Sequence, residues 1–407
     1  MARQRTSGLT AEVVAVGAGP AGLTAAVALA IAGIETVIVA KRPDRPDNRT
    51  SALLAGSVAA LDVLGVWQAC RAYAAPLRTI RLVDATNRLL RAPEVSFSAA
   101  EIGLEAFGHN IENVHLVAAL EARAAALAHL RRIDAAAETV TIGERAVTIV
   151  LADGHSVAAP LVIGADGRKS LCRAAAGIAT DGFTYPQAAL TLNLAHSRPH
   201  NGVSTEFHTT TGPFTVVPLP GDRSSLVCVV EPAEADRLAA LDETALAEAI
   251  EQRAHSIHGK VTVEPGHGVF RLSVETAERL AANRVALVGE AAHVVPPIGA
   301  QGLNLGLRDA ATIGELAVAA RRDRADVGSD AVLAQYERLR RPDVAGRTVA
   351  VDVLNRSLLA DFLPVHALRG LGLYLVDQIG PLRRALLREG VAPSTFEPRL
   401  MRGEALS

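Results

Sequence analysis

The stretch Glu12-Val13-Val14-Ala15-Val16-Gly17-Ala18-Gly19-Pro20-Ala21-Gly22-Leu23 decides the fold. An apolar run of strand length, Glu12 to Val16, meets a Gly-x-Gly-x-x-Gly turn. A small-residue segment, Pro20 to Ala32, then reads as a helix, and Thr36 to Ala40 as a second strand. This is a βαβ unit of about thirty residues, the context that gives the glycine spacing its meaning. Gly17 permits the tight turn, Gly19 lets the backbone approach a pyrophosphate, and Gly22 lets the helix pack closely on the strand. Pro20 and Ala21 stand between them at the helix N-terminus, whose unpaired N–H groups and positive dipole end face the phosphates. An acid for the ribose is expected at the end of the second strand. Ala40 holds that place, followed by Lys41 and Arg42. These two charges either face the nucleotide or are solvated in a loop.

Two further glycine-rich segments follow in order. Gly164 to Arg173, GADGRKSLCR, closes a buried strand, Leu161 to Gly164. Asp166 is either a plain strand–helix turn residue or a group near the pyrophosphate or ribose edge. Arg168, Ser170 and Arg173 come next, and arginine suits phosphate. Gly289 to Ala310, GEAAHVVPPIGAQGLNLGLRDA, closes a strand over Arg284 to Val288. Open α/β sheets bind ligands at such carboxyl ends, where Glu290 can accept from ribitol or ribose hydroxyls. Pro296 to Gly302 forms a tight entry to a helix, with Gly299 and Gly302 leaving backbone N–H groups uncovered. A helix N-terminus at Gly302, Leu303 and Asn304 stabilises negative charge on the N1–C2=O edge of a reduced flavin. His293 is either catalytic or packed and hydrogen-bonded. Together the three segments read as one FAD site with room beside it for oxygen chemistry.

Between the motifs the pattern alternates. Thr50 to Leu64 and Asn113 to Arg131 read as helices, Arg78 to Asp84 as a strand, and Thr139 to Ala158 as a small meander. Leu190 to Ala195, Gly202 to His208, Phe214 to Pro218 and Ser225 to Val230 read as antiparallel strands, with helical segments over Ala233 to His258. Gly302 to Arg321, Ala331 to Val353 and a Leu-rich tail, Leu358 to Arg388, read as helices. The 407 residues suggest two or three domains, and a net charge of -2 gives no basic field for nucleic acid. Cys70, Cys172 and Cys228 lie far apart, which fits neither a disulfide framework nor a metal site and does fit a reducing cytoplasm. The apolar run Val13 to Ala40 is broken by glycines and Glu35, so it reads as strand–turn–helix–strand rather than as a membrane span. Hydrolase and metalloenzyme motifs are missing, so the cofactor must carry the hard step.

These residues resemble the class A FAD-dependent aromatic monooxygenases, and more closely the ubiquinone-biosynthesis hydroxylases that act on polyprenylated phenols. The matching segments are GAGPAGLTAA, Asn48 to Leu53, Leu64 to Trp67, GADGRKSLCR, Gly212-Pro213 with Val217 to Leu219, AAHVVPPIGAQGLNLGLRDA, Tyr336 to Asp343, Asp352 to Arg356 and the tail segment GLGLYLVDQIGPLRRALLR. The resemblance implies an α/β fold: a Rossmann-like FAD-binding domain, an inserted mixed/antiparallel β-sheet substrate domain and a C-terminal helical tail. The expected boundaries are 1–77, 108–180 and 284–340 for FAD, 78–107 and 181–283 for substrate, and 341–407 for the tail. Gly17, Gly19, Pro20, Ala21, Gly22, Arg49, Asn113, Asp166, Glu290, Gly299, Gly302, Leu303 and Asn304 would hold the cofactor. Glu290 replaces an aspartate usual in the family. His293, Pro296 and Arg49 would act beside the reaction, Arg49 coupling flavin movement to reduction.

The implied reaction has NADPH or NADH reduce the flavin. O2 then adds at flavin C4a, and the resulting hydroperoxide passes its distal oxygen to the ring. Phe207 and Phe214 would roof that ring, or else fill a plain sheet core. The resemblance also implies a polyprenylated phenol substrate, a quinone-biosynthesis complex, and a cytoplasmic enzyme with peripheral contact at the inner face of the membrane. The Leu-rich tail is the surface for that contact, although helices packed on the FAD domain explain it better. A soluble aromatic substrate and a non-catalytic flavin-binding subunit are the alternatives.

Overall fold

A computed structural model describes residues 8–42, 47–86, 92–359, 378–391 and 396–406. Val13–Val16 is buried along its whole length because it lies inside a six-stranded, mostly parallel sheet. The order across that sheet is Ala281–Ala282, Val285–Leu287, Leu161–Gly164, Val13–Val16, Thr36–Val39, Leu130–Ile133. Three neighbouring strands therefore end side by side in the three glycine-rich segments. Alanine dominates the Pro20–Ile31 helix because it is buried between the sheet and the Gln301–Arg322 helix. The Ala137–Ile142, Val147–Leu151 and Ser156–Ala159 strands form the expected meander, joined at one edge by Leu9–Thr10.

A second, nine-stranded sheet is built around one long strand, Thr180–His196. Arg223–Val230 and Gly268–Ala277 pair with it on either side. Pro213–Leu219, Val203–His208, Thr79–Asp84 and Val95–Ser98 extend the sheet, and Val261–Val263 and His293–Val294 complete it. Strand alternation gives this sheet two faces. One packs Leu190, Leu192, Phe207, Phe214, Leu226 and Cys228 against the Pro232–Ala239 and Glu243–Arg253 helices. The other turns toward the flavin-binding layer. There Asn110 Nδ2 donates to Pro218 O and Ser225 Oγ, both at 3.0 Å, and Asn193 Nδ2 donates to Glu112 Oε1 at 3.0 Å.

Two sequence expectations change, and one alternative is decided. Thr50 to Leu64 is not one helix. Thr50–Leu54 is a strand paired with Gly108–Glu112, and the helix runs only over Ala55–Val63. The Asn113 helix stops at Ala125, because Leu130–Ile133 leaves it to pair with Thr36–Val39. Phe207 and Phe214 sit on the helix-covered face with centroids 6.0 Å apart, so they fill a core and do not roof a ring. Asp330–Leu359 and Gly380–Val391 are helical. The lipid-facing residues expected in the tail (Leu358, Leu359, Phe362, Leu363, Leu371, Leu373, Leu375) lie outside the residues whose side chains are described. Among the described residues no helix is long and apolar enough to cross a membrane.

Candidate active site

The first two motifs interlock. Gly17 has φ +108°, and a Cβ there would lie 2.2 Å from Ala165 O. A Cβ on Gly22 would lie 2.3 Å from Gly17 O and 2.8 Å from Ala165 Cβ. No side chain fits at either position, so both glycines are fixed by packing between the motifs. Gly19 differs, since a Cβ there would meet nothing within 4 Å. The helix it opens has no side-chain cap and no acid in its first turn. An uncapped helix N-terminus beside open space suits an anionic pyrophosphate. Ala21 reaches the third motif, its methyl 3.4 Å from where a Gly289 Cβ would stand and 3.3 Å from one on Gly306.

Asp166 lies in the second motif with its backbone N against Gly17. Its carboxyl accepts from Ser170 Oγ at 2.5 Å and Cys172 N at 3.1 Å, which holds the turn into the Leu171–Ala175 helix. Half-buried, it stands at the end of the strand next to the one that Gly17 closes. Arg168 and Arg173 are both engaged by protein groups. Arg168 pairs with Glu275 and donates to Ser273 Oγ at 2.6 Å. Arg173 donates to Ala291 O and Arg168 O, both at 2.8 Å, tying the second motif to the third. Arg42 also turns away, paired with Asp134 at 3.0 Å on the surface.

Arg49 grips Asp47 with two nitrogens, each at 2.8 Å, and lies 5.4 Å from the Phe270 ring centroid on the large sheet. Asn113 braces the same pair. It donates to Asp47 Oδ2 at 2.9 Å and accepts from Ser51 Oγ at 2.7 Å. The Asp47 bond raises the Arg49 guanidinium above its ordinary value. Burial opposes this, and the charges of Asp47 and Glu290 add to it. Arg168 is raised by its bond to Glu275, with Glu290 contributing again. Exposed Glu290 thus shares its field between two arginines from different motifs.

The third motif enters its helix through a strained turn. Gly299 and Ala300 have φ of +64° and +54°, and Ala300 caps the Gln301–Arg322 helix in the left-handed region. Pro296 is buried, while Gly299 is exposed. Asn304 corrects a sequence expectation. It is fully buried and its amide is used by the protein: it accepts from Leu54 N and Ser57 Oγ at 2.9 and 2.7 Å. It donates to Ala52 O and Ala300 O at 2.8 and 2.6 Å. It sets the helix entry against the Thr50–Leu54 strand, and the backbone at Gly302 and Leu303 is what remains for a cofactor.

His293 is the second correction. Its side chain is wholly buried, with Nε2 2.6 Å from Asp309 Oδ2, so it touches no substrate. Asp309 also accepts from Gly289 N at 3.1 Å and Arg340 Nε at 2.7 Å. Burial alone would raise the Asp309 carboxyl. His293 and Arg340 outweigh it and bring the group down to about 2. Arg340 continues to Asp343 at 2.7 Å, which Arg308 reaches at 2.8 Å, and Tyr336 Oη donates to Leu287 O at 2.6 Å. This buried network fixes the third motif from behind. Sequence reading gave it no role. The signal was present in Tyr336 to Asp343, where Tyr336, Arg340 and Asp343 recur at helical spacing and share the buried face.

These features fit FAD: an open glycine backbone at an uncapped helix end, a second strand-end turn beside it, and a glycine-rich helix entry under a covering sheet. Comparison with known proteins agrees. Residues 10–350 match the FAD binding domain family. A ubiquinone hydroxylase, UbiL of Rhodospirillum rubrum, is 36% identical over 97% of this chain and 94% of its own. The 3-demethoxyubiquinol 3-hydroxylase of Escherichia coli is 30% identical over 93% and 97%. The solved p-nitrophenol 4-monooxygenase PnpA of Pseudomonas putida DLL-E4 shares the fold at a TM-score of 0.77, with 21% identity over 94% and 98%.

Proposed function

The chain belongs to the FAD binding domain family and is an FAD-dependent monooxygenase; from that premise we propose that it hydroxylates the ring of a polyprenylated phenol in ubiquinone biosynthesis. NADPH or NADH is the reductant, and O2 is the source of the new oxygen. One observation carries the reading: the large sheet presents to the flavin-binding layer a half-buried surface of Thr191, Thr215, Val217 and Val227. Such a surface suits an aromatic ring with an apolar substituent and keeps water from it. The full-length similarity to two ubiquinone-pathway hydroxylases supports the same substrate class.

When bound, FAD supplies the activation of O2 and the transfer of one oxygen atom to the ring. The residues around it bind and exclude. Gly19 and the first turn of the Pro20–Ile31 helix take the pyrophosphate. Asp166 borders it, and Glu290 offers an acceptor to the sugar-alcohol chain. Arg49 and Phe270 bridge the two layers at the edge of the ring site. Pro296 to Gly302 forms its floor. Mass spectrometry of lipid extracts tests the proposal. A host lacking the protein is expected to accumulate a prenylated phenol short of one hydroxyl, with ubiquinone reduced and restored by the active gene product. Unchanged intermediates and quinone in that host, with no second hydroxylase present, would contradict it.

A further inference from the structure

The face of the large sheet toward the flavin-binding layer is ordered in cross-strand rows. In one row Asn193 pairs with Ser225, and both are buried and bonded to Glu112 and Asn110 of the flavin-binding layer. Two residues along each strand away from it, a second row runs Thr191, Val227, Thr215, Glu206, Leu82, each the direct cross-strand partner of the next. Beyond it, Ala189 with Val229 and Pro213 with His208 are buried again. The middle row stays half-buried across all five strands. It lies as a strip between two buried stretches of this face, with half-buried Val217 beside it.

Glu206 is the one ionisable group in that strip. Its carboxyl is held rather than free. His208 Nε2 lies 2.9 Å from Oε1, and Thr215 Oγ1 donates to Oε2 at 3.2 Å. The Glu206 side chain keeps 13% exposure and His208 only 5%, so the carboxyl is held by neighbours on its own face and stays partly accessible. A carboxylate has about four acceptor positions, and two are occupied here. It has no proton to donate. A ring that meets Glu206 must bring a donor.

Resting on the proposed function, we infer that Glu206 selects the substrate: it accepts a hydrogen bond from the ring hydroxyl and turns away rings that present a carboxylate in the hydroxyl's place. A hydroxyl bonded to an anion pushes electron density into the positions ortho and para to it, which are those an electrophilic oxygen attacks. A carboxylate brought to the same place faces a like charge in a half-desolvated site, where repulsion is poorly screened. His208 and Thr215 act as positioning residues that keep the acceptor aimed at the strip.

The test uses the FAD-loaded enzyme and two probes, ortho-prenylphenol and the same ring with a carboxylate in place of the hydroxyl. Binding is read from perturbation of the flavin spectrum. The wild type is expected to prefer the uncharged phenol. Glu206→Gln should bind that phenol about tenfold more weakly, the usual loss when a hydrogen bond to a charged group is removed. The same variant should bind the carboxylated ring more tightly, so that the preference collapses. Glu206→Asp keeps the charge but shortens the reach, so it should lose phenol affinity while still rejecting the carboxylate. It also serves if the Gln variant does not fold. Unchanged preference in the folded Gln variant, with or without a lower melting temperature, would make Glu206 a structural ion-pair partner and overturn the inference. Undiminished phenol binding in the Asp variant would do the same. Wild-type enzyme that hydroxylates phenols yet prefers the carboxylated ring overturns this inference alone. Wild-type enzyme that binds and oxidises neither probe overturns the proposed function, and the inference falls with it.

Discussion

Gly19 and Gly22 stand three residues apart and serve unlike ends. Gly22 has the Gly17 carbonyl where a methyl would go, whereas Gly19 has open space. Gly22→Ala should therefore destabilise the FAD-free protein by about 1–3 kcal/mol, the range for overpacking a tight contact. Gly19→Ala should leave the FAD-free melting temperature within about a degree or two of wild type while weakening FAD binding by about tenfold or more. Thermal melts of both apoproteins beside FAD titrations check the pair. Equal melting losses would remove the distinction. The close contact of Gly22 with Gly17 was legible in the sequence because both lie within one βαβ unit, whereas its contact with Ala165 of the second motif was not. Asn304 and His293 were not legible in the same way. The partners that absorb Asn304 include Leu54 and Ala52, some 250 residues away in the chain. Only the folded topology shows that its amide has nothing left to offer a cofactor.

At the scale of elements, the Gln301–Arg322 and Asp330–Leu359 helices meet through buried charge. Arg340 is fully buried between Asp309 and Asp343. Arg340→Ala leaves two buried carboxylates without their shared partner and should cost about 3–5 kcal/mol. FAD affinity should fall with it, because Asp309 also holds Gly289. Denaturant unfolding of the variant measures the first effect. The folded-state depression of Asp309 to about 2, from an ordinary 3.8, adds stability that is complete above the ordinary value. That contribution is lost as pH falls through the folded value.

The helix-covered face of the large sheet carries a second titrating group. His258 stacks on His196 at 4.5 Å with both ring nitrogens unpartnered. It is lowered to about 4 by burial first, then by His196, His200 and Arg81. The unfolded chain takes this proton near 6.5 and the folded chain only near 4, so stability should fall as pH drops across that window. Melting temperatures from pH 7 to pH 4 should decline in the wild type and decline less in His258→Phe. Parallel slopes would refute the assignment. Local pattern gave most elements correctly, including the parallel strands and the meander. It failed over Thr50–Leu54, where a helix-compatible sequence becomes a strand because Gly108–Glu112 and Asn304 offer it partners. It also fell short on Thr180–His196, whose exposed first half has no apolar alternation to announce a strand.

Across the whole molecule, three glycine-rich segments from distant parts of the chain end adjacent strands of one sheet, and a second sheet covers the opening. The convergence was legible because each motif follows its own apolar strand. The cover was legible as a sheet, but which of its faces looks at the ring was not. Side-chain parity in a strand is set by register, and register came from pairing with strands far off in sequence. That parity moves Phe207 and Phe214 into a core and brings Thr191, Thr215 and Glu206 into view of the site.

The central claim is that this arrangement transfers one atom of dioxygen to a prenylated phenol. The direct measurement incubates the purified, FAD-loaded protein with NADPH, ortho-prenylphenol and isotopically heavy dioxygen, then weighs the product. The expected product is a singly hydroxylated ring carrying one heavy oxygen, formed only when phenol, reductant and FAD are all present, with NADPH oxidation stimulated by the phenol. Phenol-independent NADPH oxidation that yields only hydrogen peroxide, with the ring unchanged across prenyl lengths, would contradict it.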